Sequence, residues 1–316
     1  METNGKIHRV AVVGTGVVGA SWAAFFLSRG LEVSATDPAP GAESALRSFV
    51  DRAWPALESL GLSPGASRDR LCFASDLEKT LAGAQFVQEN APERIDLKIK
   101  LFARMDAVLP PSVLIASSSS GLKISAIESH CKHPERCVIG HPFNPPHLIP
   151  LVEVVGGTGT KSSPENIERT LQFYSALGKH PIHIRKEVPG HAANRLQAAL
   201  WREAIHLVAE GVLSVADVDS AVCWGPGLRW GIMGPNLLFH LGGGKGGLQH
   251  FLEHLSGPFA TWWADLGSPG LTPEIKAKLI AGVLEEAAGR SIEQLEEERN
   301  RALLGLLAIR EAGKRD

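Results

Sequence analysis

The sequence predicts an α/β protein, a doubly wound parallel sheet followed by an all-helical domain, and three observations predict it. A β-branched run opens the chain and passes through a glycine-rich turn into a helical pattern. Strand-like and helical runs then alternate, which is the mark of βαβ units and a parallel sheet. Beyond about residue 187 strand-like runs become scarce and amphipathic helical patterns take over.

The elements follow in order. Residues 7–13 (IHRVAVV) form a β-branched run bounded by glycine and read as a buried strand. After the glycine turn a helix is expected from about residue 20 to 28, closed by Arg29 and Gly30. Residues 31–36 are a second strand, ending at Asp37. Apolar runs at 86–87, 113–116, 138–139 and 151–155 continue the strand series. The texture changes at residues 186–190 (KEVPG), and residues 192–210 read as a long amphipathic helix. Residues 291–311 carry a helical period with charged faces, opened by a capping box of Ser291 and Gln294. The expected domains are therefore 1–187 and 188–316.

Composition narrows the class of function. With 44% hydrophobic and 21% charged residues and a formal net charge of −2, the chain offers no electrostatic reason to bind nucleic acid or an anionic membrane. No apolar stretch reaches the roughly 20 residues that span a bilayer, and residues 2–8 are polar, unlike a secretory leader. Cys72, Cys131, Cys137 and Cys223 are scattered without a C-x-x-C pair. That spacing favours reduced thiols over a zinc site or disulfide framework, and a cytoplasmic protein.

The turn after the first strand, GTGVVG at residues 14–19, fits G-x-G-x-x-G in the strand-to-helix setting that gives the string meaning. Gly14 permits the tight turn, Gly16 lets the backbone approach a pyrophosphate, and Gly19 allows close helix–strand packing. Asp37 ends the second strand 23 residues after Gly14. A carboxylate there accepts hydrogen bonds from an adenosine ribose and repels a 2′-phosphate. Residues 38–41 (PAPG) supply no Arg or Lys for such a phosphate, so NAD is the expected cofactor of this Rossmann-type domain.

Four further segments carry chemistry: the serine run 117–120 before Gly121, H-P-F-N-P at 141–145, L-V-E-V-V at 151–155, and Asn194 with Arg195. Singly, a histidine before proline reads as structural and a serine run as a loop. Their joint order behind a dinucleotide turn resembles the 3-hydroxyacyl-CoA dehydrogenase family over nearly the whole chain. The resemblance implies that Ser120, His141, Glu153 and Asn194 form the catalytic set, and that Glu93 and Lys98 lie near the nicotinamide side of the cofactor. It also implies a homodimer built on the helical domain, with the active site in the cleft at the carboxyl ends of the strands.

The residue types suit that chemistry. Removing hydride from an alcohol requires a base for the hydroxyl proton, and histidine titrates in the right range. A carboxylate on the far ring nitrogen fixes the tautomer and stabilises the imidazolium. Glu153 in a mostly apolar strand calls for such a partner, because a lone buried carboxylate is costly. Ser120 and Asn194 would hold the substrate oxygen.

The chain departs from the acyl-CoA members after Met233, Gly234 and Pro235, where their acidic position is His240 and a glycine-rich stretch, 242–247, follows. Trp201 with its neighbours and the segment 225–230 resemble the L-carnitine dehydrogenase branch, and next the L-gulonate 3-dehydrogenase (lambda-crystallin) branch. The implied substrate is a small 3-hydroxy acid, L-carnitine first; a sugar acid and a hydroxyacyl-CoA stay open. A quaternary ammonium is best held by aromatic faces. Phe143, Trp201, Trp224 and Trp230 are the candidates, with Arg229 to clamp a carboxylate. Core or dimer packing is the ordinary fate of such tryptophans. Residues 250–254 fit H-x-x-E-H, a zinc-peptidase pattern, but no third ligand accompanies it and no metal is expected. A crystallin-like structural role is disfavoured because all four catalytic positions are intact.

Overall fold

The computed structural model describes residues 7–312, so residues 2–6 of the polar N-terminal stretch lie outside the described residues. The chain forms two compact units, divided after Asn194. The first contains β1 (Arg9–Val13), α1 (Val17–Ser28), β2 (Glu32–Thr36), α2 (Ala42–Ser59), β3 (Leu71–Phe73), α3 (Leu77–Leu81) and β4 (Phe86–Glu89). These are followed by α4 (Ile95–Val108), β5 (Leu114–Ser117), α5 (Ile124–Ile127), β6 (Cys137–Pro142), β7 (Leu151–Thr158), α6 (Pro164–Ala176) and β8 (His180–Lys186).

The strands make one sheet in the order β3-β2-β1-β4-β5-β6-β7-β8. From β3 to β6 all neighbours are parallel, and the strand order reverses between β1 and β4, where open α/β sheets bind ligands at their carboxyl ends. Alternation along β1 divides the core. Val10 and Val12 pack with α1 on one face, and Ala11 and Val13 with Phe102 and Met105 of α4 on the other. Helix α1 is apolar around its whole circumference and is buried accordingly, with Trp22 stacked on Phe26 at 5.0 Å and on Tyr174 at 5.6 Å.

The sheet is not parallel throughout. β7 runs antiparallel to β6, and β8 is parallel to β7. Residues 143–150, which join β6 to β7, are too few for the crossover of a dozen or more residues that a parallel return requires. Two strands had no clear sequence signal. β3 is three residues long, and β8 contains Pro181 and lies at the sheet edge, half exposed, where proline is tolerated.

The second unit is helical: α7 (Ala193–Ala209), whose first two residues belong to the first unit, α8 (Val215–Trp224), α9 (Pro226–Trp230), α10 (Pro235–Gly242), α11 (Gly247–Asp265), α12 (Pro273–Ala287) and α13 (Ile292–Ala312). Ser214 and Thr272 cap α8 and α12. At α13 the capping box is reciprocal, with Gln294 N donating to Ser291 Oγ and Ser291 N to Gln294 Oε1. Phe239 stacks on Phe251 at 4.7 Å, and Phe259 closes on both, joining α10 to α11. No helix among the described residues is long and apolar enough to cross a membrane. All four cysteines are free.

Candidate active site

The glycine turn is shaped by close approach. Gly14 has φ +88°, and a Cβ there would lie 2.8 Å from the backbone of Asn90 at the end of β4. A Cβ on Gly19 would meet Gly14 O at 1.9 Å, so the first turn of α1 packs directly on the loop before it. At Gly16 the opposite holds, since nothing lies within 4 Å of the position a Cβ would take. Gly16 is the N-cap of α1, makes no side-chain cap, and the first turn contains no acidic residue. A helix start of this kind presents N–H groups and partial positive charge to an anion in the open space beside it. Asp37 is held at the end of β2, accepting from Thr15 N at 2.7 Å and Ala39 N at 2.9 Å. The open glycine cradle, the uncapped helix start and the carboxylate fit a dinucleotide pyrophosphate and a ribose with a free 2′-hydroxyl.

The register of β6 against β7 sets His141 directly opposite Glu153. Their side chains meet at 2.9 Å, Nδ1 to Oε2, and both residues are buried. The other oxygen of Glu153 accepts the backbone N–H groups of Ala192 and Ala193 at 2.8 and 2.9 Å, where α7 begins. Burial alone would raise the carboxyl pKa. The hydrogen bonds from His141 and the two amides outweigh it and hold the group below its ordinary value. An ionised carboxylate only accepts, so His141 Nδ1 carries a proton, and in the neutral ring Nε2 then keeps the lone pair. That is the form a general base needs.

The serine run divides by use. Ser117 Oγ donates to Glu89 at 2.5 Å, Ser118 Oγ to Asn90 at 2.7 Å and Ser119 Oγ to Glu93 at 2.6 Å. Ser120 is exposed; its carbonyl accepts from Asn194 Nδ2 at 3.4 Å, a long bond that another acceptor can displace. Glu93 Oε1 gathers the N–H groups of Ser120, Gly121 and Leu122. Burial raises its carboxyl pKa, but Ser119, the amides of Gly121 and Leu122, and Lys98 bring it below the ordinary value.

Lys98 is buried, and its closest partner is Glu89, at 2.7 and 3.0 Å, whereas Glu93 lies at 3.9 Å. Sequence reasoning missed Glu89, although a carboxylate two residues behind the apolar pair Phe86 and Val87 is a weaker form of the signal that drew attention to Glu153. It also missed His191, buried with its ring centroid 5.3 Å from that of His141.

The candidate substrate residues divide between the two units. Phe143 is half-buried two residues beyond His141. Trp201, Trp224, Trp230 and Arg229 belong to the second unit and are exposed, and among the described residues no ring contact joins these three tryptophans. His250, Glu253 and His254 lie on one exposed face of α11 with potential ligand atoms within 4.8 Å of one another. Their contacts are those of an ordinary helix surface, His254 Nδ1 meeting His250 O and Gln249 donating to Glu253.

Residues 9–188 match the model of the 3-hydroxyacyl-CoA dehydrogenase NAD-binding domain, and residues 190–273 that of the 3-hydroxyacyl-CoA dehydrogenase C-terminal domain. The chain is 51% identical to an L-carnitine dehydrogenase of Streptomyces griseus, covering 95% of this chain and 89% of that one. It is 48% identical to an L-carnitine dehydrogenase of Pseudomonas putida, covering 98% and 96%. Among solved structures it resembles an NAD-dependent dismutase, the 5-dehydrogenase of 5-formyl-3-hydroxy-2-methylpyridine 4-carboxylic acid. The TM-score is 0.82 at 32% identity, with 96% and 99% of the two chains covered.

Proposed function

The chain belongs to the 3-hydroxyacyl-CoA dehydrogenase family, and from that membership we propose that it oxidises the 3-hydroxyl of L-carnitine to the 3-oxo product, 3-dehydrocarnitine. It is an NAD-dependent oxidoreductase acting on a CH–OH group. The chemistry rests on one observation, the 2.9 Å contact between His141 Nδ1 and Glu153 Oε2, which leaves Nε2 as the proton acceptor. What NAD supplies when bound is a hydride acceptor. Gly14, Gly16 and Gly19 shape its pyrophosphate cradle, Asp37 takes the adenosine ribose, and Glu93 and Lys98 lie toward the nicotinamide. His141 removes the hydroxyl proton, and Glu153 stabilises the imidazolium while remaining ionised. Ser120 and Asn194 hold the substrate oxygen.

The choice of L-carnitine rests on relatives near 50% identity that span almost their whole length. Phe143, Trp201, Trp224 and Trp230 are the candidates to face the quaternary ammonium, with Arg229 for the carboxylate. A panel of L-carnitine, L-gulonate, L-3-hydroxybutyrate and L-3-hydroxybutyryl-CoA, followed by NADH absorbance, tests it. Clear preference for carnitine is expected. Among the tryptophans, at least one Trp→Ala change should raise KM for carnitine more than for an uncharged 3-hydroxy acid. Preference for the CoA ester would remove the carnitine assignment and leave the base untouched.

The protein is further proposed to work as a homodimer. The second unit leaves large apolar side chains in the open, with Trp224 80%, Ile292 70% and Leu284 67% exposed, a surface that a second copy of the chain would bury. Sedimentation should give twice the chain mass; a monomer at micromolar concentration contradicts this.

A further inference from the structure

Four consecutive residues at the start of α7 reach two different parts of the site. Ala192 and Ala193 donate their backbone N–H groups to Glu153, behind the base. On either side of them, His191 Nε2 contacts Ser119 O at 3.0 Å and Asn194 Nδ2 contacts Ser120 O at 3.4 Å. A carbonyl only accepts, so Nε2 of His191 carries the proton. The serine loop and the His141–Glu153 pair are thus held by one short segment.

The backbone at His191 serves this arrangement. Gly190 has φ +73° and His191 φ +48°, so the chain turns through the left-handed region twice before the helix starts. For a residue other than glycine that conformation is unfavourable, and it persists where surrounding contacts enforce it. The ring is buried, and its Nδ1 has no hydrogen-bond partner among the described residues. An unmatched buried acceptor is unfavourable, and a phenyl ring of similar size would carry no such cost. The feature unique to imidazole here is the Nε2–H on Ser119. Burial also pushes the ring's pKa down, which keeps it neutral and with a single N–H to place.

We propose that His191 is a positioning residue that clamps the serine loop to the start of α7, so that Ser120 and Asn194 are held in register with His141. This rests on the reading of His141 as base and of Ser120 and Asn194 as the groups that hold the substrate oxygen. Loss of the clamp lets the loop shift by about an ångström, a displacement that can cost a factor of up to about 10² in turnover.

Three variants separate the clamp from packing and backbone effects. His191→Phe keeps a ring without a donor. His191→Asn tolerates the left-handed backbone and is too short to reach Ser119. His191→Gln places an N–H at nearly the distance of Nε2. With NAD affinity retained, kcat should fall about 10- to 100-fold in the Phe and Asn variants while KM changes little, as a loss of positioning and not of binding requires, and kcat should recover to within a few-fold in the Gln variant. Amide hydrogen exchange in residues 119–122 should rise in the Phe and Asn variants and stay near the parent's in the Gln variant. Parent-like kcat in the Phe variant, or a Gln variant as impaired as Phe, would overturn the proposal. Unchanged exchange in residues 119–122 would overturn it too, whichever residue is the base. Normal turnover in a His141→Gln variant would instead remove the reading beneath it, a separate outcome that leaves the exchange result standing.

Discussion

A His141→Gln variant is expected to bind NAD as the parent does and to lose kcat by a factor on the order of 10²–10⁴. Glutamine approximates the reach of the imidazole and can still donate an amide N–H to Glu153, so the β6–β7 pair is kept. What disappears is the lone pair on Nε2. The neutral amide has no comparable basicity, and the hydroxyl proton must then leave to water. The dinucleotide cradle at residues 14–19 and Asp37 involves neither His141 nor Glu153, which is why NAD affinity is the control. NADH formation gives kcat, and fluorescence titration gives the affinity. Normal turnover would show that the base lies elsewhere.

The second large effect is expected at Glu153, and two substitutions divide its roles. In Glu153→Gln the amide oxygen can continue to accept from Ala192 and Ala193, which leaves the amide NH₂ facing His141. Nδ1 must then become the acceptor and Nε2 the N–H, the wrong tautomer for a base. Turnover should fall by about 10²–10⁴ with the fold retained. Glu153→Ala leaves the two amides at the start of α7 without their buried acceptor, at about 1–3 kcal/mol each, so the melting temperature should fall as well. A Gln variant with parent-like kcat would show that the carboxylate does not set the tautomer.

Acidification tests the same residue. The folded carboxyl titrates below its ordinary value of 4.5, so its contribution to stability is fully present above that value. It is lost as pH falls through the depressed folded value, where the unfolded chain has already taken up its proton. The stability gap between the parent and Glu153→Gln should therefore be constant near neutrality and narrow below the carboxylate range. Denaturant melts across that window measure it, and a gap that widened on acidification would reverse the sign argued here.

Much of this was legible in the chain itself because it is locally encoded. The glycine turn is readable since close backbone approach and positive φ impose a residue type at fixed spacing, as Gly14 and Gly19 show. The βαβ start, the long helix near 192–210 and the capping box at Ser291 depend on periodicity and caps that operate within a few residues. The catalytic candidates could be named because their order along the chain resembles a family.

Partnership was a different matter. The resemblance named Glu93 and Lys98 without giving the lysine a partner; the tertiary structure gives it Glu89 at 2.7 Å, because β4 ends with that carboxylate beside the lysine on α4, with Glu93 farther off at 3.9 Å. That β7 turns back antiparallel to β6, with His141 across from Glu153, follows from a short connection and a register between strands. His191 carried no signal of its own. By itself the sequence determined the dinucleotide turn, the expected cofactor and the candidate residues. Only the tertiary structure decided which of them touch, because contacts between residues distant in sequence depend on strand register and close packing, and no local pattern records either.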